Sequence, residues 1–408
     1  MLWHHSHKGK KNMEKKPLDP ETREFLNAMS RRRLLQVGAI GGAAAVATAC
    51  GVGSSSPSPT KVKDLSDKEK FFNWSTWIDY IDIDDAGNYP TLEIFQEQTG
   101  IKVEYKEDYN DNDEFLAKVR TQLEAGQGTG RDIVTPTDWM AGYWIRKGYA
   151  QKITAANVPN SVNMGDAWKG VGFDPNREFS LPWQSGFGGI GWNRAKLKEL
   201  TGKSELTSLD ELWDPKLKGR VTLLSEWRDT IGVTLQAMGL DASNFAESDF
   251  ADAIALLQEQ IDKGQIRAVM GNDYKTAMAR GDVVAAIAWS GDLLNNTAKY
   301  GFAVPESGGT LWTDNMIIPI GATHKKNAEK WMNFYYEPEN AARIAAYVNY
   351  ITPVAGAQAA MEKIDPSMVN NEAIFPTDAT LSRVKTFMAL SDAQQASFTD
   401  QFSTLSGA

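Results

Sequence analysis

Cysteine is almost absent: the 408-residue chain has one, Cys50. A lone thiol excludes an internal disulfide, a Cys-rich zinc centre and an iron-sulfur cluster held by this chain alone. Histidine is nearly as scarce. His4, His5 and His7 sit in a polar N-terminal tail, and only His324 lies further along, which excludes general acid/base chemistry by a histidine pair. An excess of positive charge is missing too, with 43 Lys and Arg against 52 Asp and Glu, a net charge of -9. Nucleic acid is therefore not an expected partner, because phosphate binding needs a cationic face. The apolar stretch 34–49 is interrupted by Gln36 and glycines and is too short and too weakly hydrophobic to span a membrane. What is present, 42% hydrophobic and 23% charged residues, describes a globular chain long enough for two lobes with real cores.

The charge is unevenly placed. Residues 1–49 hold nine basic and four acidic residues, or +5, which leaves -14 beyond them. A positive segment, a short apolar run and small residues before Cys50 together read as a secretory signal over residues 1–49. Ser30-Arg31-Arg32-Arg33-Leu34-Leu35-Gln36 resembles the twin-arginine export motif. Ala47-Thr48-Ala49-Cys50 resembles a bacterial lipobox, with Ala47 where Leu is usual, and implies lipid attachment at Cys50. Residues 50–69 are rich in Gly, Ser and Pro and then charged, as expected of a flexible tether between anchor and domain.

From residue 70, short β-branched or aromatic runs alternate with longer helical patterns, which predicts α/β layers with largely parallel sheets. Strands are expected at 71–73, 101–105, 132–135, 221–224, 266–270 and 283–288, and helices at 92–99, 114–124, 139–147, 230–238, 250–261 and 276–280. Ligands of open parallel sheets sit beyond the carboxyl ends of strands. Trp74-Ser75-Thr76-Trp77, Pro136-Thr137-Asp138-Trp139, Ser225-Glu226-Trp227-Arg228-Asp229 and Trp289-Ser290-Gly291-Asp292 each follow such a run, and Trp312-Thr313-Asp314 precedes another. Aromatic faces beside carboxylates form a box for an organic cation, each cation-π contact contributing roughly 0.5–2 kcal/mol. A flexible ligand with an amine at each end needs acids at both ends of a slot and apolar walls between. Core packing accounts for Trp144, Trp168, Trp213 and Trp331, which lie within or beside helical patterns. Taken alone, Glu226 and Asp229 also suit a helix N-terminus. Gly186-Phe187-Gly188-Gly189-Ile190-Gly191 spells the dinucleotide fingerprint but runs straight into Trp192-Asn193, without the strand-to-helix context that motif requires.

Phe72-Asn73-Trp74-Ser75, Glu97 to Val103, Asp132-Ile133-Val134-Thr135-Pro136-Thr137, Asp210-Glu211-Leu212-Trp213 with Lys218-Gly219, Ala288 to Asp292, Trp312-Thr313-Asp314 and Tyr350-Ile351-Thr352-Pro353, in this order over nearly 300 residues, resemble the spermidine/putrescine-binding proteins of bacterial polyamine ABC importers. The resemblance implies an α/β fold of the periplasmic-binding-protein type, two lobes joined by crossing strands with a ligand cleft between them. Lobe one is expected at 70–188 and 312–368, lobe two at 189–311 and 369–408, with 181–193 as the outward crossing and 302–318 as the return. It implies that Trp74 and Trp289 stack on the ligand's alkyl chain, that Trp312 closes one side, and that Glu226, Asp229, Asp292 and Asp314 hold its amines. Ser75, Thr137, Trp139 and Tyr350 match peripheral contacts. Trp77 stands where Tyr is common and Thr76 where some members have an acid, which leaves the length of the preferred polyamine open.

The expected protein is thus a monomeric, exported, lipid-anchored carrier on the outer face of the cytoplasmic membrane. It hands a polyamine to an ABC permease, touches the membrane only through its lipid, and needs no cofactor or metal. Two alternatives use the same residues: a binding protein for another organic cation or solute, and an extracellular carbohydrate-acting hydrolase, since tryptophan-lined clefts with two carboxylates also suit glycosidic cleavage. No nucleophile motif of the Gly-x-Ser-x-Gly type occurs, so an enzyme is not expected.

Overall fold

The computed structural model describes residues 62–406. Their strands form one sheet: β1 (Phe71–Trp77), β2 (Lys102–Tyr109), β3 (Ile133–Val134), β4 (Ser180–Asn193), β5 (Val221–Leu224), β6 (Ile266–Met270), β7 (Ala285–Trp289), β8 (Tyr300–Ala303), β9 (Gly309–Ile317) and β10 (Val384–Lys385). The path runs β2-β1-β3-β9-β4-β7-β5-β6, with β8 on β4 and β10 on β9. β1 is parallel to β2 and β3, and β5 is parallel to β6 and β7. These two parallel groups are the centres of two α/β lobes. β4 and β9 pair antiparallel along most of their length and carry the chain between the lobes.

Parallel neighbours cannot be joined by tight hairpins, so helices supply the crossovers. Pro90–Thr99 links β1 to β2, Asn112–Glu124 links β2 to β3, and Trp227–Ala237 with Glu247–Asp262 links β5 to β6. The first of these ends at Gly100, whose φ of 67° allows its N–H to reach the Gln96 carbonyl. The second starts at Asn112, two residues before the sequence expectation, because the Asp111 carboxylate accepts the N–H groups of Asp113 and Glu114. The third starts at Trp227 and so holds Asp229 in its first turn. Among the described residues, no helix is long and apolar enough to cross a membrane.

The expected signal (1–49) and the lipid site Cys50 lie outside the described residues. The expected tether, 50–69, lies partly within them, and there it is corrected: residues 64–69 are bound to the domain. The helix Lys325–Tyr335 has no side-chain cap of its own. Asp64 accepts the N–H of Lys326 and Ser66 Oγ that of Asn327, at 3.1 Å each, satisfying donors a helix start leaves open. Leu65 N–H donates to the Thr323 carbonyl at 2.7 Å, and Glu69 meets His324 Nε2 at 2.9 Å. A domain beginning at Lys70 should therefore be less stable than one beginning at Val62 by about 1–3 kcal/mol. Urea denaturation of the two proteins checks this, and equal midpoints would contradict it.

Candidate functional site

The carboxyl ends of β1, β5, β6 and β7 converge with β9 on a narrow cavity of about 30 Å³, a volume that one or two waters fill. Trp77, Ile78 and Tyr80 line it from the end of β1, and Thr137 from the start of the helix Asp138–Arg146. Glu226 and Asp229 come from the start of Trp227–Ala237, Asn272 from the turn after β6, Trp289 and Asp292 from the end of β7, Trp312 and Asp314 from β9. Tyr350 follows the helix Pro338–Val348. The walls are aromatic. Trp77 meets Trp289 edge-on at 5.9 Å between centroids, and Trp312 meets Tyr350 at 5.0 Å. β4 packs behind these side chains, and two of its glycines explain the fingerprint-like run. A Cβ on Gly186 would lie 2.5 Å from the Trp312 ring and 2.7 Å from Tyr350, and one on Gly188 would strike Thr310 and stand 2.8 Å from Asp229 Oδ1. Mid-strand glycine here lets the site's own side chains lie flat on the backbone.

Glu226, Asp229 and Asp314 are buried and Asp292 is partly buried, and each is held differently. Asp314 accepts Tyr80 OH and Thr137 Oγ1, both at 2.7 Å. Asp229 accepts Trp289 Nε1 at 2.7 Å and the Thr310 hydroxyl. Glu226 accepts Asn112 Nδ2 at 3.0 Å and pairs with Arg228 at 3.3 Å. Asp292 accepts Tyr274 OH at 2.8 Å and Tyr350 OH at 3.1 Å, with Lys275 Nζ 3.5 Å away. Asn112 Nδ2 also donates to Thr137 Oγ1, so one hydrogen-bonded chain links Glu226 to Asp314.

Loss of water dominates the ionisation of Asp314, Glu226 and Asp229. It raises Asp314 to about 8 against its two hydrogen bonds, and Glu226 to about 8 against the attraction of Arg228. Asp229 is also raised by burial, opposed by Thr310 and Trp289. Burial works equally against the Arg228 guanidinium, which falls to about 10 despite Glu226. Arg228 is stabilised in turn by lying 3.3 Å from the centroid of Trp139 and 4.0 Å from that of Trp227.

Residues 91–377 match the family model of bacterial extracellular solute-binding proteins. The chain belongs to that family. The spermidine/putrescine-binding periplasmic protein of Salmonella typhimurium is 26% identical over 316 residues, covering 77% of this chain and 84% of that protein. The putrescine/cadaverine-binding protein of Pseudomonas aeruginosa is 27% identical over 343 residues, covering 81% and 91%. Among solved structures, a Listeria monocytogenes chain provisionally named a spermidine/putrescine ABC transporter superposes with a TM-score of 0.70 at 26% identity, covering 83% of this chain and 99% of that one.

In this solute-binding protein the structure brings nine of the residues singled out from the sequence to one slot: Trp77, Thr137, Glu226, Asp229, Trp289, Asp292, Trp312, Asp314 and Tyr350. Three lie elsewhere. Trp74, expected against the ligand, is fully buried in lobe one, packed on Tyr105, Trp183 and Trp331, with its Nε1 donating to Thr135 Oγ1. It sits before the strand end, where alternation points it into the core. Ser75 is likewise buried and accepts Arg131 Nε at 3.0 Å. Trp139 faces a cation, but that cation is Arg228 of the protein itself.

Ile78, Tyr80 and Asn272 line the slot and were not anticipated. Tyr80 and Asn272 follow β1 and β6 within three residues, so the strand-end rule that found the tryptophans could have found them. The side-chain oxygen of Asn272 is buried with no hydrogen-bond partner among the described residues.

Carboxyls raised by folding bind protons that the unfolded chain has already released. Stability contributed by Glu226 and Asp314 is thus lost as pH rises from their unfolded values near 4 towards about 8. Asp113 and Asp138, each raised by burial to about 6, act in the same direction over the lower part of that window. The unfolding free energy of the ligand-free domain should fall by roughly 3 kcal/mol or more between pH 5 and pH 8, less steeply in Asp314→Asn. Denaturant titrations across that range would expose the error if stability were flat or rising.

Proposed function

We propose that this solute-binding protein captures polyamines of the putrescine and spermidine class in the acidic, aromatic slot and delivers them to an ABC permease. The observation that carries the reading is the state of Asp229 and Asp314. Each is buried between aromatic walls and accepts hydrogen bonds from neutral donors only, so an ammonium group supplies the charge that would stabilise its ionised form. Trp77, Trp289, Trp312 and Tyr350 offer faces to the methylenes between two such ammoniums. The names of the Salmonella and Pseudomonas relatives, both polyamine binders, support the same ligand class. A slot this narrow admits a polyamine when the lobes part, and closure over it then dries the charges.

On this reading the protein is a carrier and not a catalyst, acts as a monomer, and is held to the outer face of the cytoplasmic membrane through a lipid on Cys50 after removal of residues 1–49. Lobe one comprises 70–188 and 312–368, with 64–69 bound to it, and lobe two 189–311 and 369–408. The packing of Phe398 on Phe250, ring centroids 4.0 Å apart, supports the placement of the C-terminal segment.

Replacing Asp229 or Asp314 with Asn should weaken polyamine binding by about 2–5 kcal/mol, roughly 30-fold to several-thousand-fold. Calorimetric titration of the domain with putrescine, cadaverine, spermidine and spermine measures it. If both variants keep the native circular dichroism spectrum and bind every polyamine within about threefold of the parent, the site is misplaced. Cys50→Ser should release the full chain from membranes with ligand affinity unchanged. Membrane retention of that variant, with no lipid found by mass spectrometry on the parent, would overturn the anchor.

A further inference from the structure

The four acids of the slot divide into two kinds. Asp229 and Asp314 accept only from neutral groups, whereas Glu226 and Asp292 each face a cation of the protein. The two internal cations differ in freedom. Arg228 is fixed between two indole rings, pairs with Glu226 and reaches Gln395. Lys275 keeps 18% of its side chain exposed and is shared between Asp292 at 3.5 Å and Asp79 at 2.8 Å, the latter half-exposed beyond the end of β1. Burial works against the Lys275 charge, but Asp292 and Asp79 outweigh it and raise its pKa. With both internal cations in place, the slot's four carboxylates carry a net charge of about -2 when ionised.

We infer that Lys275 is a specificity-determining residue: its ammonium competes for the amine position at Asp292 and sets the slot to a ligand with two charges, an aliphatic diamine, over a triamine. This rests on the polyamine reading above and refines it. A diamine neutralises Asp229 and Asp314 and leaves Lys275 where it is. The third ammonium of a triamine must either displace Lys275 onto Asp79 alone or stay near a like charge, and the cost is paid only by the longer ligand.

The test is calorimetry of the soluble domain with putrescine, cadaverine and spermidine, for the parent, Lys275→Met and Asp79→Asn. The parent should bind the better diamine at least about tenfold more tightly than spermidine. Lys275→Met should shift that ratio towards spermidine by about tenfold or more. Asp79→Asn, a change at a half-exposed position, removes the alternative partner of Lys275 and should shift the ratio the other way. A parent that prefers spermidine overturns the inference. So does a natively folded Lys275→Met whose ratio stays within about threefold of the parent's. Should Lys275→Met fail to fold, an unchanged ratio in Asp79→Asn decides against it. A parent that binds none of the three overturns the polyamine reading itself, a result distinct from binding without the Lys275 effect.

Discussion

Keeping carboxylates out of water is the constraint on which this structure turns. An ionised carboxyl group moved into a low-dielectric interior loses solvation worth several kcal/mol, which only a hydrogen-bonded counter-charge recovers. The cleft concentrates four such groups. It satisfies them with the hydroxyls of Tyr80, Thr137, Tyr274, Tyr350 and Thr310, with the Trp289 indole, and with Arg228 and Lys275 as internal cations. For Asp229 and Asp314 the neutral donors leave the charge itself uncompensated. Burial then raises their proton affinity, and the binding energy of a cationic ligand is stored in that unmet demand.

The fold serves this arrangement directly. Parallel strands bring their carboxyl ends together, so β1, β5, β6 and β7 deliver side chains to one place from two lobes. β4 and β9 run between the lobes as a paired ribbon. β4 is buried throughout and carries no charged residue. Its glycines bring Asp229, Thr310, Trp312 and Tyr350 within contact of the backbone, so the crossing ribbon backs the slot with β4 and lines it with Trp312 and Asp314 of β9.

Much of this was legible in the sequence. The strand runs 221–224 and 266–270 matched the observed elements, the first because a buried parallel strand is short and largely apolar, the second, an edge strand with only Ile266 buried, because its apolar residues outnumber its one charge. Tryptophan and acid together beside strand runs marked seven of the slot's residues, and the family resemblance added Thr137 and Tyr350. Trp74 misled because the end of its strand was read four residues early, and alternation along a strand sends adjacent side chains to opposite faces. Trp139 misled because an aromatic face that attracts a cation does not disclose whose cation it is. Residues 64–69 looked like tether because they are polar, yet they satisfy the helix start at Lys326 and Asn327, a partnership across more than 250 residues that composition does not reveal. The pairing of Lys275 with Asp79 spans 196 residues and was equally invisible.

The central claim is that a cationic ligand replaces protons on buried carboxyls. It is tested most directly by titrating putrescine into the domain at pH 7 in buffers of different ionisation enthalpy. With Glu226 and Asp314 near 8 in the free protein, binding should release about one proton or more per ligand, and the number released should fall as the pH is raised beyond 8. Binding with an enthalpy independent of the buffer, and hence no proton released at pH 7, would contradict the account.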